Sequence, residues 1–75
     1  MTKTITVKPV PGGWAVDAAG GEAPLMFLGG GRAEQKAREL AERMARGGQN
    51  AEVAIHDLGG RLIGQVRYEA DSVEA

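Results

Sequence analysis

The 75-residue sequence predicts an α+β fold: an antiparallel-rich sheet of four or five short strands with one helix packed on one face, in the order β-β-(β)-α-β-β. Three observations carry that prediction. Residues near both ends of the chain alternate polar with apolar, the period of a half-buried strand. Between them the apolar residues recur every three or four positions, the period of a helix with one buried stripe. Glycine pairs and triplets fall at the joints between these segments, where a chain must turn. A single amphipathic helix covers only one side of such a sheet, so the other side is expected to stay open.

Each element follows from its residues in turn. From Lys3 to Val10, Ile5 and Val7 share one side, and Thr4, Thr6 and Lys8 share the other. In "PVPGGW", Pro11 fixes φ and lacks a donor while Gly12 and Gly13 are free to take positive φ, so "GWAVD" returns as an antiparallel second strand. "AAGGEA" signals a second turn and "APLMFL" a short third strand. From Arg32 to Arg46, Ala33, Ala37, Leu40, Ala41, Met44 and Ala45 form the apolar stripe. Glu34 with Arg38, Glu39 with Arg43 and Glu42 with Arg46 stand as acid-before-base pairs on the solvated side. Arg43 and Arg46 suit the negative helix end, and Gly47–Gly48 supply a positive-φ stop. "AEVAIHD" resumes alternation, "DLGGR" turns, and "RLIGQVRYE" returns, with either Leu62, Gly64, Val66 and Tyr68 or Ile63, Gln65 and Arg67 facing inward. Residues 1–69 are thus expected to form one domain and 70–75 an acidic tail. Strand order is not readable from one sequence, and a ubiquitin-like arrangement with parallel central strands is the alternative.

Composition bounds what such a domain can do. The chain has no cysteine and one histidine, which removes disulfides and thiolate metal sites and makes a structural zinc untenable; no cofactor is expected. Net charge is −1, which suggests neither nucleic acid nor an acidic membrane surface as a partner. The longest apolar run, "PLMFL", is far short of the ~18 residues that span a bilayer. "MTKTITVKPV" has no continuous apolar segment of the kind a secretory signal needs, so a cytoplasmic location is expected.

"VPGGWAV", the Ala-rich "KARELAERMARGG" and "EVAIHDLGGRLIGQVRY" together resemble the small bacterial family called domain of unknown function 2188. The resemblance runs from about Ile5 to Tyr68 and rests on a Gly-Gly-Trp-Ala-Val stretch, a helix of the type Ala-x-x-x-Ala-x-x-Leu-Ala, and a hairpin with His near its turn. This chain departs from it at the helix start, where Gly29, Gly30 and Gly31 replace a side-chain N-cap. The resemblance implies a compact α+β domain and brings no established activity with it.

Four sets of residues invite a chemical reading. Gly30, Gly31 and Arg32 at the helix start offer free amides and one cation to a small anion, but lack the Lys and hydroxyl of a nucleotide loop; the simpler reading is a turn. Trp14, Phe27 and Tyr68 are the only aromatics, better spent on a small core than on base stacking. His56 with Asp57 could exchange protons, yet no nucleophile accompanies them, and Asp57 suits a turn; no enzyme is expected. Lys8, His56, Arg61 and Arg67 form the candidate partner surface. Two functions follow: a non-catalytic module that binds an unidentified protein or a second copy of itself, and, less favoured, a nucleic-acid binder whose Lys3, Lys8, Arg61 and Arg67 form a basic stripe if the first and last strands lie side by side.

Overall fold

A computed structural model describes residues 2–18 and 23–70, so the turn expected at "AAGGEA" and the tail beyond Ala70 lie outside the described residues. The elements are β1 (Lys3–Val10), β2 (Gly13–Ala18), β3 (Leu25–Phe27), α1 (Gly30–Arg46), β4 (Ala51–His56) and β5 (Leu62–Tyr68). The fold is α+β as the sequence predicts, and the five strands form one sheet in the order β3-β2-β1-β4-β5. The sheet is mixed rather than wholly antiparallel, because β1 and β4 at its centre run parallel. The path of the chain explains this. Hairpin turns can only reverse direction, whereas α1 leaves from the β3 edge and carries the chain over the sheet to the far side of β1.

The register puts Ile5 and Val7 of β1, Val16 of β2, and Val53 and Ile55 of β4 on one side. These residues join Ala33, Ala37 and Ala41 of α1 in a single core. Ile5, Val7, Val16 and Val53 are its largest fully buried side chains, each worth about 1.5–3 kcal/mol of burial. All four buried residues of α1 are alanines at a strict spacing of four, Ala33, Ala37, Ala41 and Ala45. The sheet therefore supplies the bulk and the helix supplies methyl groups. Leu40 and Met44 of the predicted stripe are half-buried and pack against the flank of this core, as do Trp14, Phe27 and Tyr68.

On the outer side of α1, Glu34–Arg38 and Glu42–Arg46 pair as predicted, at 3.7 and 4.0 Å. Glu39 differs: it meets Lys36 at 3.9 Å, one turn back, in place of the predicted Arg43. Arg43 sits in the last turn with Arg46, against the negative helix end. The helix stops as a Schellman motif, with Gln49 N–H donating to the Met44 carbonyl, Gly48 N–H donating to the Ala45 carbonyl, and positive φ at Gly48. Asn50 then ties the sheet together: its carbonyl accepts from Lys3 N–H, and its Oδ1 accepts from Ala70 N–H.

Candidate interaction surface

The sequence-predicted site residues do not come together as one patch. Lys8 follows Val7 and His56 follows Ile55, a matched pair of the β1–β4 register, so Lys8 and His56 lie on the open face toward one end of the sheet. Arg61 belongs to the turn between β4 and β5 at that same end. Arg67 stands opposite Glu52 toward the other end, and its Nε is 3.9 Å from the Glu52 carboxylate, which also accepts from the Gln65 amide. Lys3 aligns with the buried Ala51 and so lies on the helix side. The stripe of Lys3, Lys8, Arg61 and Arg67 required β1 beside β5, and β4 separates them. Aromatic side chains do not share the open face either: Trp14 pairs with Phe27, and Tyr68 with Ala51, on the helix side.

His56 and Asp57 are divided by their backbone roles. Asp57 Oδ1 accepts from Gly59 N–H and Arg61 N–H, both at 2.9 Å, while its own N–H donates to the Arg61 carbonyl. That is the turn reading of Asp57, with Gly60 at positive φ completing the loop. A carboxylate holding two amides is an anchor rather than a partner for the imidazole. Among the described residues no group of three or more His, Asp or Glu could hold a metal ion.

The glycines before α1 also resolve one by one. Gly29 is the N-cap, extended, with no side-chain hydrogen bond, and none of Gly29, Gly30 and Gly31 has positive φ. Gly30 lies against the Trp14 indole so closely that a Cβ there would stand 2.9 Å from Cε2. Around Gly31 there is open space. Arg32 lines an open depression of about 370 Å³ with Phe27, Gln35, Lys36 and Glu39. Gly13 has its own reason: a Cβ there would collide with the Phe27 carbonyl and touch Leu28 Cα.

That last contact locates a feature that the sequence reading missed. At the end of the sheet formed by the β1–β2 turn, the close of β3 and the β4–β5 turn, an open depression of about 480 Å³ is lined by Pro9, Val10, Gly13, Trp14, Asp57, Leu58 and Ile63. Leu58 is 90 % exposed and Ile63 59 %, and Leu28, beside Gly13, is 92 % exposed. Soluble domains scatter exposed apolar residues singly, whereas here Leu58 and Ile63 line one depression together with the half-buried Trp14. The signal was present as "FLGG" and "DLGG", a leucine directly before each of two glycine turns, where a polar residue is the common choice. Comparison with protein-family models, curated proteins and solved structures finds no match to this chain.

Proposed function

We propose that the protein is a non-catalytic interaction module that binds another protein chain through this apolar end. One observation carries the reading: Leu58 stands almost fully in water and Ile63 more than half so at a depression that Trp14 also lines, and the nearly fully exposed Leu28 follows β3 beside Gly13 at the same end of the sheet. Each exposed leucine forgoes about 1.5–3 kcal/mol of burial that a partner would restore. Tryptophan is also the residue most often found at the energetic centre of protein contacts. Arg61 lies in the β4–β5 turn at this end and Asp57 lines the depression, while Lys8 and His56 lie on the opposite, open face, so the segment that docks here is chiefly apolar. The resemblance to domain of unknown function 2188 is part of the same proposal as to fold only, since that family implies a compact α+β domain and no established activity.

Cross-linking in cells, comparing the natural chain with a Leu28→Glu, Leu58→Glu double variant, tests the reading. Both positions are solvent-exposed, so the variant keeps its fold by circular dichroism. A chain captured by the natural protein and lost from the variant is the expected result; an identical set of captured chains contradicts it. The nucleic-acid alternative has its own test. Oligonucleotide titration should show no saturable binding, and an affinity that falls steeply with salt would favour that alternative.

A further inference from the structure

We infer that β5 pairs antiparallel with β5 of a second copy, joining two five-stranded sheets into one. This goes beyond the apolar-end reading, because it uses the outer edge of β5 from Gly64 to Tyr68 rather than the depression at the end of the sheet. The two edges of the sheet differ. β3 is three residues long, too short to template another strand, whereas β5 runs for seven and contains no proline.

Which backbone groups of β5 face outward follows from the ladder. Lys3 N–H donates to the Asn50 carbonyl across the parallel pair, so Lys3, Ile5 and Val7 aim their backbone groups at β4. Glu52 and Ala54 consequently aim at β1, leaving Ala51, Val53 and Ile55 bonded to their partners Tyr68, Val66 and Gly64. Gln65 and Arg67 therefore direct their N–H and C=O groups away from the sheet. The bulge between Ile55 and His56 falls at the start of β5, where Leu62 opposes His56, and the stretch from Gly64 to Tyr68 stays regular.

That stretch is self-complementary about Val66. Aligned on a two-fold axis there, Gln65 and Arg67 exchange backbone hydrogen bonds with the second copy's Arg67 and Gln65. Val66 meets its own copy, and Gly64 faces Tyr68, whose ring covers the glycine. No arginine faces an arginine. The charge that would otherwise guard this edge, Arg67, is already matched by Glu52 on its own chain.

Light scattering of the full chain and single-cysteine cross-linking test the pairing, the chain having no cysteine of its own. The natural chain should reach twice the monomer mass as concentration rises, and Val66→Cys should form a disulfide-linked dimer on mild oxidation. Gln65→Pro, which removes an outward N–H without touching the ladder to β4, should return the mass to that of the monomer with its circular dichroism unchanged. A natural chain that stays monomeric overturns the pairing, as does a Val66→Cys form that links no faster than Leu58→Cys. If Leu58→Glu abolishes a dimer that Gln65→Pro leaves intact, the edge pairing fails while the apolar-end reading stands.

Discussion

Gly30 and Gly31 are neighbours at the start of α1, yet substituting them should have opposite effects. Gly31 has ordinary helical φ and open space around it, so Gly31→Ala is expected to stabilise by roughly 0.5–1 kcal/mol. Gly30→Ala drives a methyl into the Trp14 ring and should destabilise instead. Denaturant titration of the two variants checks the pair of signs. With Gly30 committed to Trp14, one nearby Arg32 is the main attraction for an anion. Phosphate at millimolar concentration should leave the amide NMR shifts of Gly31 to Gln35 in place, and a saturable response lost in Arg32→Ala would restore the anion reading. Asp57 was legible in the sequence because its turn is closed by residues two and four positions away. The role of Gly30 was not, because its neighbour Trp14 arrives from another element.

At the scale of elements the helix shows the same division. Its period, its termination at Gly48 and two of its three ion pairs are local properties and could be read directly. The choice of alanine at every fully buried position depends on how near the sheet approaches, and no helical pattern reports that. Ala37→Leu should therefore cost about 1–3 kcal/mol by overpacking against the branched side chains of β1 and β4. Leu40→Ala, at a half-buried flank position, should cost only about 1–2 kcal/mol, and Glu39→Ala less than ~0.5 kcal/mol. A loss at Leu40 as large as that at Ala37 would mean that the helix seats on the sheet by another face. The parallel β1–β4 pair was open in the sequence for a related reason. Strand alternation fixes which side chains share a face, and says nothing about which strand the crossover sets down beside β1.

For the molecule as a whole, the sheet sorts its residues by consequence. The helix side is core, the open face carries Thr4, Thr6 and a Glu52–Arg67 pair, and the two most exposed leucines, Leu28 and Leu58, lie at one end. Lys8, His56, Arg61 and Arg67 could be nominated from the sequence as accessible polar residues. That Lys8, His56 and Arg61 lie toward one end of the sheet while Arg67 lies toward the other became visible only with the strand order. Leu28 and Leu58 are thirty positions apart and lie at the same end of the sheet only because β3 and the β4–β5 turn both finish there. The most direct test of a protein-binding end is an amide NMR titration of the labelled chain with the unlabelled partner recovered by cross-linking. The expected result is a set of saturating shifts confined to Gly13 and Trp14, Leu28 to Gly30, and Leu58 to Ile63. Shifts centred on Thr4, Thr6, Glu52 and Arg67, with those segments unmoved, would contradict it.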